Sequence, residues 1–397
     1  MNDLKTRWNS VLLGICLTIP MLTKLITYVA PIDNNIIIVV GILLVASAVL
    51  NNGVHLTKSY IVFQLIVVSL FGIFSVNAIQ SASYYTMNYF ASYVLYGAIA
   101  TFLASKRIDE YKIIKTITIV YIFYTVLVVI KYIPDALNTY YVEESMELSY
   151  TALIGYCASL LYLFKTKSKL FKLTILGMLL INSYYIFFLS DCRGSVLSLL
   201  IMIFLVLIVK VKNGKHYGLV ATIIGLSILA VIFFGMDILN YVIETFPEMR
   251  WLRRFVIYGS NDLSSGRDRL YSLALDVIDN NFFFGAGVGY FESLANGQYT
   301  HNMFLQFLCE FGVIAGGFVA IYLVVNLVKV IFKGRTSIMM LFLIPQFIPR
   351  LFISSVYWEN MFFWVFLFFC FSKKTNESND EIFVDQERVA NGKIAQK

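Results

Sequence analysis

The sequence predicts an all-α, polytopic integral membrane protein with about twelve transmembrane helices, both termini in the cytoplasm, and one long extracytoplasmic loop. Three observations lead there. Of the 397 residues, 59% are hydrophobic and 14% charged, whereas a soluble domain carries about 25% charged and about 45–50% apolar residues. The apolar residues form continuous runs near bilayer length, about 20 residues, without the period-two alternation of a membrane barrel. Lys and Arg gather in alternate connections, the pattern that sets orientation. This composition excludes a soluble multidomain enzyme and, outside the C-terminus, a disordered chain, which would need low hydrophobicity. The 34 Phe and 26 Tyr with only 6 Pro suit long helices with aromatic belts.

The runs lie at 8–30, 36–50, 60–80, 88–104, 113–133, 149–164, 170–189, 194–210, 217–238, 302–328, 337–353 and 360–372. Pro20 and Lys24 interrupt the first. It lacks a small-residue cleavage site after a short apolar core, so it reads as an uncleaved helix and not as a signal peptide. The runs 36–50 and 360–372 are short and must borrow neighbours or insert only in part. With the N-terminus inside, Lys58, Lys106, Arg107, Lys112, the lysines of 165–172 and 210–215, and Lys329, Lys333 and Arg335 all fall on the cytoplasmic side. This retention signal accounts for the net charge of +7 without nucleic acid as a partner. The polar stretch 373–397 reads as a disordered cytoplasmic tail.

On the outer side, seven of eight cations are Arg: Arg193, Arg250, Arg253, Arg254, Arg267, Arg269 and Arg350, beside Lys131. Topology does not require this, since Lys retains a loop as well as Arg does. One reading is snorkelling at the interface. The sharper one is an outward site for a phosphorylated ligand, because the planar guanidinium grips phosphate through two parallel bonds and keeps its charge.

One connection is long, about 239–300, and long insertions of this kind usually carry function. Ser264 or Ser265 is placed to cap a helix near 266–279 with Leu270, Ala274, Leu275 and Ile278 on its apolar face, ended by Asn280 and Asn281. Residues 246–254 read as an interfacial amphipathic piece anchored by Trp251. Cys16, Cys157, Cys309 and Cys370 fall in apolar runs and Cys192 near the outer surface, which argues against a disulfide framework. The absence of a His/Cys/carboxylate cluster at metal-ligand spacing argues against a metal site, and no cofactor is expected.

His301 is the one outward histidine, His55 and His216 being cytoplasmic. An imidazole titrates near neutral pH, so His301 is a candidate proton acceptor; the bland alternative is a structural interfacial histidine. Arg193 lies in the tight turn Ser190-Asp191-Cys192-Arg193-Gly194-Ser195, with an ion pair to Asp191 as the alternative. Arg267 opens the loop helix, where free N–H groups and the dipole favour anions; pairing with Asp262 or Asp268 is the alternative. Arg350 falls in the outer part of the eleventh run beside Pro349, and a membrane-buried Arg needs a partner. Glu310 sits nine residues beyond His301, about 13 Å along an uninterrupted helix and on its opposite face. Gly285-Ala286-Gly287-Val288-Gly289 has no preceding strand, so it reads as a tight backbone fold returning the loop to His301 and not as a nucleotide loop.

Ser265-Gly266-Arg267, the amphipathic helix, Asn281-Phe282-Phe283-Phe284-Gly285-Ala286-Gly287-Val288-Gly289, Thr300-His301-Asn302 and Glu310-Phe311-Gly312, in that order, resemble the O-antigen ligase and polysaccharide polymerase (Wzy-type) family of bacterial membrane glycosyltransferases. The turn bearing Arg193 resembles that family's earlier arginine motif. A Phe-Phe-Gly stretch stands where the family often has Pro before the glycines.

The resemblance implies a transmembrane glycosyltransferase domain over 1–372 in the bacterial cytoplasmic membrane. It implies transfer of saccharide from an undecaprenyl-pyrophosphate-linked oligosaccharide donor to an acceptor hydroxyl at the outer face, with Arg193 and Arg267 on the pyrophosphate and His301 activating the acceptor. Arg269, Arg350, Asn302 and Glu310 are expected to bind substrate, Arg350 on the ground of burial. The expected partners are the lipid-linked donor and acceptor, the bilayer, a flippase and a chain-length regulator. The chemistry agrees: fixed cations stabilise a departing pyrophosphate, a base takes the hydroxyl proton, and attack opposite the leaving group inverts the anomeric centre. In a chain without a metal-site pattern, Arg does the work of a divalent ion. The preferred reading is a polymerase of O-antigen, capsule or exopolysaccharide repeat units. A ligase moving finished glycan to a lipid or wall acceptor is the alternative in the same class. A transporter or flippase of an anionic substrate is the alternative in another; it would put charges at the midplane and repeats in the sequence.

Overall fold

The computed structural model describes residues 2–30, 36–53, 55–76, 78–138, 145–212, 237, 240–246, 248–252, 267–332 and 337–372. Among these the protein is all-α. Its helices are α1 (Asn2–Leu17), α2 (Ile19–Val29), α3 (Ile36–Asn52) and α4 (Lys58–Ser75), then α5 (Ala82–Ser105), α6 (Glu110–Asn138), α7 (Ser145–Leu163) and α8 (Lys169–Leu189). There follow α9 (Arg193–Lys212), α10 (Asp268–Asn280), α11 (Tyr290–Leu294), α12 (Met303–Phe332), α13 (Ile338–Ile353) and α14 (Met361–Ser372). Five described helices are long and apolar enough to cross a membrane, or six if the bent pair α1–α2 is one span. Four shorter apolar helices accompany them, within α3, α9, α13 and α14. Nearly all of the ninth expected span (217–238), His216, most of 239–266 and the tail 373–397 lie outside the described residues.

The first apolar run is two helices and not one: α1 and α2 meet at Thr18 with a bend of 67°. Pro20 at the start of α2 explains the break, since it supplies no N–H to the preceding turn. A buried core then forms from α1, α6, α7, α9, α13 and α14, with Tyr121, Tyr124, Phe342, Phe347, Phe363 and Phe366 fully buried. Trp251, expected as an interfacial anchor, packs with Leu252 in a single 3₁₀ turn, Leu252 buried and Trp251 against the core.

The tenth span departs from expectation in a way that shapes the site. Gly312 has φ +67° and ψ −176°, so α12 is broken there. A regular helix would bond the N–H of 313 and 314 to the carbonyls of 309 and 310. The glycine loop meets all four groups instead: Val313 N–H donates to Phe282 O (2.8 Å), Ile314 N–H to Phe283 O (3.4 Å), Ala286 N–H to Cys309 O (2.7 Å) and Gly287 N–H to Glu310 O (3.2 Å). Gly285, at φ +71°, leaves no room for a Cβ, which would stand 2.5 Å from the Glu310 carbonyl and the Gly312 nitrogen. The tight fold expected of this loop therefore plugs the break in α12, and does not return directly to His301.

Candidate active site

α10 is held on the first part of α12 by its apolar face: Leu270, Ala274, Val277 and Ile278 pack with Ala286, Phe291, Ala295 and Cys309. It starts one residue after Arg267 and its C-cap is Asn281, close to the expected 266–279; Ser264 and Ser265 lie outside the described residues. This packing aims Arg267 at the C-terminal end of α13.

That end is where the site assembles. The last carbonyls of a helix have no intrahelical donor and carry the negative end of its dipole. Ile353 O, the last of α13, accepts Arg267 Nη2 at 2.9 Å and His301 Nδ1 at 2.9 Å. Arg350 lies one turn back on the same helix, half-buried, its guanidinium 5.2 Å from the centre of the Tyr150 ring. Arg350 Nε is buried without a hydrogen-bond partner among the described residues. Glu110 accepts Met339 N–H (3.1 Å) at the opposite end of α13, so the helix carries an acid at its positive end and bases at its negative end.

Arg193 opens α9, half-buried. A side chain on the next residue, Gly194, would run into Tyr150 Oη and come within 3.6 Å of Ile353 Cδ1. Tyr150 Oη in turn lies 3.2 Å from Ser354 Oγ. The backbone at 193 and 194 thus adjoins the same helix end as Arg267, His301 and Arg350.

The carbonyl fixes the state of the imidazole. Ile353 O can only accept, so Nδ1 carries the proton and, in the neutral ring, Nε2 keeps its lone pair. Burial, and then the Arg267 charge, lower the His301 pKa, opposed by the bond to Ile353 O. The ring lies 4.2 Å from that of Tyr299. His301 itself is at φ +53°, a left-handed conformation costly for a side chain with a Cβ. Thr300 Oγ1 holds the turn by donating to Asn302 O (2.8 Å) and accepting Asn302 N–H (3.3 Å).

The other expected substrate ligands fall elsewhere. Asn302 caps α12, its Oδ1 accepting the N–H groups of Phe304 and Leu305. Arg269 is exposed on α10. Glu310 is fully buried and bonded to Gln306, Tyr357 and Trp358, away from the arginines. His301 precedes the start of α12 at Met303, so the helical phase expected between it and Glu310 does not apply.

Glu359 escaped the sequence reading. It is exposed to solvent, yet crowding by protein raises its pKa, with the Arg350 charge opposing. The same two charges act on Tyr299, which burial pushes up to about 12. The signal available was an acid in the short connection after Arg350, Tyr357-Trp358-Glu359-Asn360.

Residues 175–320 match the O-antigen ligase family model. The chain carries an O-antigen ligase family domain. The match spans the Arg193 turn, Arg267, the glycine loop, His301 and the break in α12, and it ends before Arg350 and Glu359. A domain of this family implies a glycan-transferring membrane enzyme. No curated protein matches the chain.

Proposed function

We propose that this O-antigen ligase family protein is a polymerase of surface polysaccharide. It joins polyprenyl-pyrophosphate-linked oligosaccharide repeat units at the outer face of the bacterial cytoplasmic membrane, within a twelve-span topology with both termini inside. The observation that carries the reading is the meeting of Arg267 and His301 on Ile353 O. It puts a guanidinium beside an imidazole whose Nε2 is left as a proton acceptor.

In the proposed reaction, the acceptor hydroxyl oxygen attacks the anomeric carbon of the donor sugar from the face opposite the pyrophosphate. His301 Nε2 takes the hydroxyl proton as the new C–O bond forms. The bond from carbon to pyrophosphate oxygen breaks, the electron pair leaves with polyprenyl pyrophosphate, and the anomeric centre inverts. Arg267, Arg350 and Arg193 stabilise the charge growing on that oxygen; one such preorganised group is worth about 10²–10³ in rate. The buried Nε of Arg350, which has no partner among the described residues, supports this role, since a donor held without an acceptor is costly until an anion supplies one. Arg269 at the exposed start of α10 and Asn302 beside the base are proposed as peripheral contacts to the substrate.

The decisive experiment uses purified protein in liposomes with the lipid-linked oligosaccharide and no ion gradient. Lengthening of the glycan supports the polymerase; transport without lengthening overturns it. The matched family's description, O-antigen ligase, favours a second reading, transfer of finished glycan to another acceptor. Deleting the gene separates the two: loss of a polymerase leaves single repeat units on the carrier, and loss of a ligase leaves long chains there.

A further inference from the structure

Behind the His301 turn lies a closed polar network that the reaction above does not use. Gln306 is buried on the first part of α12. Its Oε1 accepts the N–H of Thr300, the residue before His301, at 3.3 Å. That donor fixes the amide orientation, so Gln306 Nε2 faces two carboxyls, donating to Glu292 Oε1 at 2.9 Å and to Glu310 Oε1 at 2.6 Å. Tyr89 Oη also donates to Glu292 Oε1, at 2.8 Å. Glu310 Oε2 accepts from Tyr357 Oη and from Trp358 Nε1, the latter at 3.0 Å. Both carboxyls are fully buried, and no cation contacts either among the described residues.

Two uncompensated carboxylates bridged by one amide repel each other strongly in a low dielectric, so one of the pair holds a proton. The hydrogen bonds say which. Glu310 accepts three donors across both oxygens, the environment of an anion. Glu292 accepts two on Oε1 alone, and its Oε2 has no partner among the described residues.

We propose that Gln306 and Glu310 are positioning residues that lock the left-handed His301 turn, with the negative charge on Glu310 and the proton on the neighbouring Glu292. The lock runs from the carboxyls through the Gln306 amide to Thr300 N–H, and from there to the ring that must present Nδ1 to Ile353 O. The inference rests on His301 being the base of the transfer reaction, but its test does not depend on that.

The test is the tautomer of His301, read by ¹⁵N NMR of histidine-labelled full-length protein in nanodiscs. The chain has three histidines, and a His301→Gln sample assigns the signal. Wild type gives the Nδ1–H form. Glu310→Gln forces an N–H donor against Gln306, or against Tyr357 and Trp358. Gln306→Leu leaves Thr300 N–H without an acceptor. Both variants are expected to mix the tautomers and to lower kcat by up to about 10²-fold, with KM for the lipid-linked donor unchanged. Glu292→Gln replaces a neutral acid by a neutral amide of the same shape, and is expected to keep both the single tautomer and the activity. A single Nδ1–H tautomer in Glu310→Gln or Gln306→Leu overturns the proposal. So does Glu292→Gln disturbing His301, and that variant decides alone if the other two fail to fold. A wild-type protein that shows the expected tautomers but does not transfer glycan leaves the lock standing and removes the polymerase.

Discussion

On one side of the Thr300–His301 turn, Arg267, Arg350 and the imidazole gather at the end of α13, half-exposed, around a backbone carbonyl that can satisfy only part of their hydrogen-bonding capacity. On the other side, Glu292, Gln306 and Glu310 are sealed inside, with nearly every donor and acceptor matched. The open cluster has unspent donors and faces where a ligand can come. The closed one has spent its donors on itself, so it can set geometry but has little left for a substrate. The difference favours giving the two sets of polar residues different work.

The comparison is broken most sharply at its shared edge. His301→Ala removes the one group that both clusters serve. Glycan lengthening in liposomes is expected to fall by about 10²–10⁴, the usual contribution of a positioned base, with the amount of folded protein unchanged. Activity at the wild-type level would assign the open cluster to binding only.

Arg267 comes next. Arg267→Ala is expected to cost about 10²–10³ in rate. Arg267→Lys should recover little, because one ammonium cannot both hold Ile353 O and grip pyrophosphate as a fork does. Full recovery by Lys would reduce the requirement to charge alone. Arg269 is the internal control, two residues along the same helix but exposed. An exposed charge contact is worth about 0–1 kcal/mol, so Arg269→Ala is expected to slow lengthening only a few-fold. An Arg269 effect equal to that of Arg267 would mean that the substrate approaches along the exposed face of α10.

How much of this was legible in the sequence follows from what each part is made of. α13 and α14 were readable to within a residue, because their boundaries coincide with changes in hydropathy. The loop helix was readable from its apolar face and terminal asparagines, except that Leu275, expected on that face, is exposed and Val277 is buried in its stead. The break at Gly312 was not, since no proline or polar run marks it and only the glycine loop, arriving from 27 residues upstream at Gly285, satisfies the freed backbone. The excess of outward arginines flagged Arg193, Arg267 and Arg350. What brings Arg267 to His301 is a main-chain oxygen, Ile353 O, and no side-chain pattern encodes a carbonyl. Gln306 and Glu292 stand as isolated polar residues in the sequence, and their meaning lies in contacts across the turn.

The smallest effect expected is a shift along the pH axis, and it sharpens the comparison by asking how the open cluster acts on the base. Burial first, and the Arg267 charge next, lower the His301 pKa below the ordinary histidine value. The neutral, proton-accepting ring is therefore populated to lower pH than for a free histidine, and lengthening should fall only as pH drops through that lowered value. Arg267→Gln keeps a donor for Ile353 O and removes the charge. Without the nearby cation, protonation of His301 is easier, so the acid limb of the residual kcat/KM should move to higher pH. The burial contribution remains, so the limb stays below the ordinary histidine value. A limb that does not move would place the Arg267 charge too far from the ring to act on it, leaving the shared carbonyl as a structural link alone. A limb that moves the other way would mean that a group other than His301 governs the acid side of the profile.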